Sequence, residues 1–461
     1  MSTLDTIYGH LPVGFQNIAC TLAGWQICRD RYSPDFRRAL CEAEERGAWR
    51  QEDLERYRDG RFRTFVERAF QTPFYRARLE RAQIAPGDIR CLADIRALPT
   101  LTKAEVKANQ TWLTCNGLPK SALRPSHTSG ITGAGFVFQT TVQAVHEQWA
   151  VWWRYRRWHG IGLDDWCGYF GGRTVVPVRI HEPPFWRYNL AGRQILFSAY
   201  HMSRRNLAAY VDELRRRRPP WLHGYPSLLS LVASYMIDRK CDLGYAPIAI
   251  TTGAETLLAQ QAAVIQKAFG VRPRQHYGMA EAVGNFSECE LGRLHVDEDL
   301  AAVEFVPNGE AGHYTVVGTN LSNAATPLIR YVTNDHVALD SSVCPCGRPG
   351  RIVSSVEGRF EDYIVLPDGT RIGRLDHVFK DAVKVLEAQI VQERNDEIVI
   401  RVVRADGYAK RDEQFLIAQM IDRVGTQIRL GFDYVDRIER SRSGKLQFVI
   451  SALPEGQITS I

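Results

Sequence analysis

The 461-residue chain carries 58 Lys and Arg against 52 Asp and Glu, for a formal charge of +6, and 45% of it is hydrophobic. Such a composition fits an ordinary packed core and leaves out a disordered or single-charge tail, while the small basic excess favours anionic small molecules without singling out nucleic acid. No run approaches the ~20 apolar residues of a membrane span, and the start Met1-Ser2-Thr3-Leu4-Asp5 lacks the basic-then-apolar pattern of a secretion signal, so the ten cysteines are expected to be reduced and the protein cytoplasmic.

Residues 1–125 read as mostly helical, with charged stretches such as residues 50–68 and a break at Leu98-Pro99 before the loop-like Thr100-Leu101-Thr102. His127-Thr128-Ser129-Gly130-Ile131-Thr132-Gly133-Ala134-Gly135 then alternates hydroxyls with glycines, whose backbone can approach a polyanion with no Cβ in the way. It suits a phosphate cradle, with an ordinary polar loop as the competing reading. It lacks both the Gly-Lys-Ser/Thr ending of a P-loop and the glycine spacing of a dinucleotide-binding turn. Between Thr128 and Tyr331, apolar strand-like runs alternate with amphipathic stretches such as residues 143–159 and 227–238, the pattern of a parallel sheet covered by helices. Helical spacing in Trp152-Trp153-Arg154-Tyr155-Arg156-Arg157-Trp158 predicts one buried and one solvated face rather than a base-stacking platform. Arg215-Arg216-Arg217-Arg218 closes a helix-like segment, where cations complement the helix dipole.

Further on, Ala246-Pro247-Ile248-Ala249-Ile250, then Thr252-Gly253-Ala254-Glu255, then a helix-like stretch to Phe269 reads as strand, turn, helix. Such strand ends are where ligands sit in open α/β sheets. Tyr277-Gly278-Met279-Ala280-Glu281 offers an aromatic ring and a carboxylate suited to a cation. In Pro327-Leu328-Ile329-Arg330-Tyr331-Val332-Thr333-Asn334-Asp335, Asp335 is an acceptor of the kind that pairs with ribose hydroxyls. Gly358-Arg359-Phe360-Glu361-Asp362 precedes a segment with its own strands, residues 388–393 and 397–403, joined by the turn-prone Arg394-Asn395-Asp396. Near the end, Ser441-Arg442-Ser443-Gly444-Lys445 places a cation in a polar turn before a last strand-like run, residues 446–450.

These five motifs in this order resemble the adenylate-forming superfamily of acyl-CoA synthetases, and in detail its phenylacetate-CoA ligase branch, particularly the CapK-type proteins. The stretches Pro183-Pro184-Phe185-Trp186-Arg187-Tyr188-Asn189, Ser198-Ala199-Tyr200-His201-Met202-Ser203 and His223-Gly224-Tyr225-Pro226-Ser227 are similar to that branch as well, so the likeness spans nearly the whole chain. It implies an α/β fold: a large N-terminal domain, residues 1–359, with mixed and parallel sheets covered by helices, and a small mobile C-terminal α+β lid, residues 360–461. The hinge maps onto Glu361, where Asp or Lys is usual.

The resemblance also implies roles. Thr128, Ser129, Gly130, Thr132 and Gly133 would wrap the β- and γ-phosphates of ATP, and Glu281 would bind Mg²⁺. Gly253, Ala254 and Glu255 with Tyr277 and Gly278 would enclose adenine. Asp335 would take the ribose hydroxyls, Arg359 would assist there, and Lys445 would bridge the carboxylate and the α-phosphate. The chain departs from the pattern at Ile131, where a hydroxyl is common, at Ala134-Gly135, and at Asn334, which replaces a glycine; Asn tolerates a left-handed backbone better than other residues with a Cβ, so the turn is expected to survive. The reaction implied is ATP-dependent activation of a carboxylic acid as acyl-adenylate, then transfer to CoA. Residues 367–374 are where the surface for that second step is expected. An amine or a carrier-protein thiol is an open alternative acceptor, as is a homologue that binds nucleotide without catalysis. Tyr169, Trp186, Trp221 and Tyr225 are candidates for an aromatic acid's pocket, with core packing the competing reading.

Cys344-Pro345-Cys346-Gly347 with Cys289 and His295 supplies three thiols and an imidazole, a ligand set suited to a closed structural Zn²⁺ site, although the C-x-C spacing is tighter than usual. A monomer or homodimer acting on a small carboxylic acid, ATP and CoA, with no membrane or nucleic-acid partner, is expected.

Overall fold

The computed structural model describes residues 3–115, 117–127, 136–177, 179–203, 205–309, 312–359, 364–367, 371–372, 375–379, 382, 384–440 and 446–453. The chain forms two compact units: one of residues 1–24, 164–273 and 358–461, the other of residues 25–163 and 274–357.

In the first unit, strands Cys167–Gly171, Gln194–Ser198, Trp221–Gly224 and Ala249–Gly253 run parallel, with Trp186–Asn189 antiparallel at one edge. Helices Leu207–Arg217, Pro226–Asp238 and Ala259–Phe269 follow successive strands. Strands covered on both faces must be apolar along their length; Phe170, Ile195, Phe197, Leu222 and Ile250 are all buried, and Phe170 stacks on Phe197 with centroids 4.5 Å apart. The same unit holds a four-stranded sheet near the C-terminus, in which Val385–Arg394 pairs antiparallel with Glu397–Arg404 and parallel with Val449–Ser451. Helix Lys410–Val424 buries Leu416 and Met420 against its Ile390, Ile398 and Ile400. This is the α/β class expected, with parallel and mixed sheets covered by helices and a small α+β assembly at the C-terminus.

The second unit opens with helices Pro34–Arg46 and Gln51–Ala69. The former starts at Ser33, whose side chain accepts the Phe36 N–H, with proline in the first helical position. Its main strands lie in the spatial order Ala301–Pro307, His313–Asn320, Tyr331–Asp340, Ile352–Arg359, Leu294–Val296, Asn285–Glu288 and Arg274–Gly278, two sequential runs joined where Ile352–Arg359 pairs antiparallel with Leu294–Val296.

Helix Val142–Trp158 has the buried face expected, but two of its arginines lie on it, while Arg157 is exposed. Arg154 and Arg156 are buried along with Trp153 and Tyr155. Arg154 can be interior because it meets carboxylates from far along the chain: Asp297 at 2.7 Å and Asp299 at 2.9 Å. Arg46 joins Asp299 at 2.8 Å, and Arg58 and Arg351 clasp Glu298. The triplet Asp297-Glu298-Asp299 is thus wholly paired inside the unit. Among the described residues no helix is long and apolar enough to cross a membrane.

Candidate functional site

In the second unit the third and fourth motifs meet. Tyr277 is the penultimate residue of strand Arg274–Gly278, where its ring stacks on Phe286 at 4.5 Å and its hydroxyl donates to Asp335 Oδ2 at 2.8 Å. Gly278 follows because a Cβ there would lie 2.7 Å from Asn285 Oδ1. Asp335 sits at a break in the pairing of Tyr331–Asp340 with its neighbour, where Asn334 takes φ +61° and the Asp335 N–H is held by Thr333 Oγ1 at 3.1 Å. The left-handed turn expected of a glycine is therefore kept by asparagine. Glu281 lies beside Tyr331, whose hydroxyl is 3.5 Å from Glu281 Oε1. Tyr277, Asp335, Glu281 and Tyr331 thus gather an aromatic face and two carboxylates.

In the first unit, Gly253-Ala254-Glu255 leaves the carboxyl end of strand Ala249–Gly253, as read from the sequence. Ala254 holds φ +68°, a conformation that costs a residue with a Cβ about 1 kcal/mol and turns the chain sharply out of the strand. The Glu255 carboxylate accepts N–H groups from Ser227 at 3.3 Å and Leu446 at 2.8 Å. Of the aromatic candidates, Tyr169 faces His223 across adjacent strands at 5.6 Å, and Trp221 Nε1 and His223 Nδ1 both contact Thr251 Oγ1 at 2.8 Å. Burial holds the Tyr225 phenol above its ordinary value. Trp186 packs on Phe197 and Tyr210, as a core residue does. Thr128, Ser129, Gly130, Thr132, Gly133 and Lys445 lie outside the described residues, as do Glu361 and most of residues 367–374; Arg359 ends strand Ile352–Arg359.

The cysteine and histidine cluster assembles from two connections. Cys289 and His295 flank the turn between strands Asn285–Glu288 and Leu294–Val296, and Cys344 and Cys346 lie on the chain entering Ile352–Arg359. The register pair Leu294 with Val353 brings these segments together. All four ligand atoms lie within 4.8 Å of one another. Cys289 and Cys344 sulfurs are 3.8 Å apart, and Cys346 Sγ is 3.4 Å from His295 Nε2. Tetrahedral coordination with ~2.3 Å metal–sulfur bonds puts two sulfurs roughly 3.8 Å apart, so the donors already stand at coordination spacing. His295 Nδ1 is 3.0 Å from the Pro349 carbonyl, which sets the tautomer that turns a bare Nε2 toward the sulfurs.

Sequence reasoning missed the acidic triplet and the attachment of Leu446 to Glu255, because both join residues remote along the chain.

Residues 364–452 match the CapK C-terminal domain family. Over 97% of this chain and 99% of the relative, the sequence is 26% identical to Protein CapK of Staphylococcus aureus. It is 24% identical to the phenylacetate-coenzyme A ligase of Thermus thermophilus over 68% and 72% of the two chains. Among solved structures, 2-hydroxyisobutyryl-CoA ligase in the postadenylation state superposes with a TM-score of 0.69 at 20% identity, covering 90% of this chain and 92% of that one. The fold is thus that of 2-hydroxyisobutyryl-CoA ligase. Along most of its length the chain is similar to Protein CapK and to phenylacetate-CoA ligase, and residues 364–452 match the CapK C-terminal domain.

Proposed function

We propose that this chain is an AMP-forming acid-CoA ligase. A carboxylate oxygen attacks the α-phosphorus of ATP, the bond to the β-phosphate breaks, and pyrophosphate leaves; the CoA thiol then attacks the acyl carbon and AMP departs. The observation that carries this reading is the hydrogen bond between Tyr277 and Asp335, which joins two motifs 58 residues apart into one aromatic and acidic surface. Asp335 is suited to ribose hydroxyls, and Tyr277 with the backbone of Gly253 and Ala254 to an adenine ring. Glu281 would hold Mg²⁺, which offsets phosphate charge. Thr128, Ser129, Gly130, Thr132 and Gly133 are assigned to the phosphates, Arg359 to the ribose, and Lys445 to the developing charge at the α-phosphate. In this reading residues 1–359 bind nucleotide and acid, and residues 360–461 act as a lid. The acid is taken as aromatic, with Tyr169 and Tyr225 toward the carboxyl ends of two adjacent parallel strands as the candidates for its pocket. Cys289, His295, Cys344 and Cys346 would hold a structural Zn²⁺.

Incubation with ATP, Mg²⁺, CoA and single carboxylic acids, followed by mass spectrometry, tests the pathway. Equal yields of AMP and acyl-CoA are expected from one aromatic acid. AMP with no thioester, and acyl hydroxamate on adding hydroxylamine, would move the acceptor to an amine or a carrier protein.

A further inference from the structure

Glu255 falls in a motif assigned to adenine, yet both of its carboxylate oxygens are engaged elsewhere. Oε2 accepts the Ser227 N–H, at the start of helix Pro226–Asp238, and Oε1 accepts the Leu446 N–H at 2.8 Å. Leu446 is the residue immediately after Lys445. On the other flank of residues 441–445, Arg440 donates to Ser227 Oγ at 3.2 Å and pairs with Glu387; the two side chains of that pair are 4% and 3% exposed. Arg440 and Leu446 are therefore fastened to one point, the Ser227 and Glu255 corner. Ala254 presents that corner from a left-handed turn that the chain would not adopt without compensating contacts.

We propose that Glu255 is a positioning residue for the adenylation step, whose carboxylate seats the C-terminal strand's lead-in at Leu446. This rests on the ligase reading above. Glutamate suits the task because one carboxylate accepts two N–H groups at once, whereas a glutamine amide would turn an N–H toward one of them. The backbone of Gly253 and Ala254 is left for the nucleotide.

Two measurements on Glu255→Gln, with Glu255→Asp as the conservative variant, separate this role from adenine binding and from general support. Hydrogen–deuterium exchange of the intact chain, without ligand, reads the seat itself: the Leu446 amide is expected to exchange at least about 10-fold faster in Glu255→Gln, as loss of a charge-assisted hydrogen bond implies, with Glu255→Asp intermediate. Unchanged protection there would overturn the seat whatever the enzyme does. With the acid that the unmodified chain activates fastest, Glu255→Gln should slow adenylation about 10- to 100-fold. The KM for ATP should stay within about 2-fold, as should thioester formation from prepared acyl-adenylate and CoA. A raised KM with unchanged turnover would return Glu255 to the nucleotide, and an equal loss in both half-reactions would make it structural. An unmodified chain that activates no acid would instead refute the ligase reading, with the exchange measurement still deciding the seat.

Discussion

Asp335 is oriented by three neighbours of different kinds: the Tyr277 hydroxyl on its carboxylate, the Thr333 hydroxyl on its N–H, and the left-handed Asn334 before it. A carboxylate built in this way is set to accept hydrogen bonds from a ligand. Asp335→Ala is expected to raise the KM for ATP about 10- to 100-fold, the worth of one or two charge-assisted hydrogen bonds; an unchanged KM would remove Asp335 from the ribose. Asp297 makes a different prediction. Burial pushes its carboxyl up to about 6, with Arg154 offsetting only part, whereas Arg154 and Arg46 outweigh burial at Asp299 and hold it well below the ordinary range. The folded state therefore binds the Asp297 proton more tightly than the unfolded chain does, so this group's contribution to stability grows as pH falls from about 6 toward 4. On going from pH 7 to pH 5, the wild type should gain about 1 kcal/mol on Asp297→Asn in denaturant titrations. A difference independent of pH would contradict the shifted carboxyl.

At the scale of elements, what was legible in the sequence was local. Strand, turn and helix around Thr252-Gly253-Ala254-Glu255 followed from an apolar run, a glycine and a helical period, and the hairpin of Val385–Arg394 and Glu397–Arg404 from a turn-prone triplet between apolar runs. What failed was the burial of charge. In Val142–Trp158, periodicity predicts one buried and one solvated face without showing that arginines share the buried one; Arg154 is drawn inside by acids about 145 residues away, a partnership no local pattern displays. Arg154→Met should destabilise the protein by roughly 3–5 kcal/mol, since Asp297 would lose its arginine and Asp299 one of two. A loss below about 1 kcal/mol would mean that the triplet is relieved in another way. The two connections carrying Cys289, His295, Cys344 and Cys346 join four strands of one sheet, including the strand next to the one that holds Tyr277. Protein purified without chelator should hold one zinc per chain, and Cys344→Ser should lower Tm by on the order of 10 °C. Metal-free protein of unchanged Tm would end the zinc assignment.

For the whole molecule, the order of five short motifs carried more than any one of them. Three are seen as geometry, in two places: the surface of Tyr277, Glu281 and Asp335 in one unit, and the Glu255 corner in the other. The phosphate loop and Lys445 rest on the sequence and on its similarity to Protein CapK and phenylacetate-CoA ligase. The roles proposed for all five converge on one partial reaction, which needs no acceptor and so separates activation from transfer. ATP–pyrophosphate exchange, run over a panel of aromatic and aliphatic carboxylic acids with Lys445→Ala alongside, tests it directly. Exchange that depends on one class of acid and falls about 10²- to 10³-fold in the variant is predicted, the scale of losing one charge-stabilising group in a transition state. Exchange at an equal rate in Lys445→Ala, or none with any acid despite bound ATP, would contradict it.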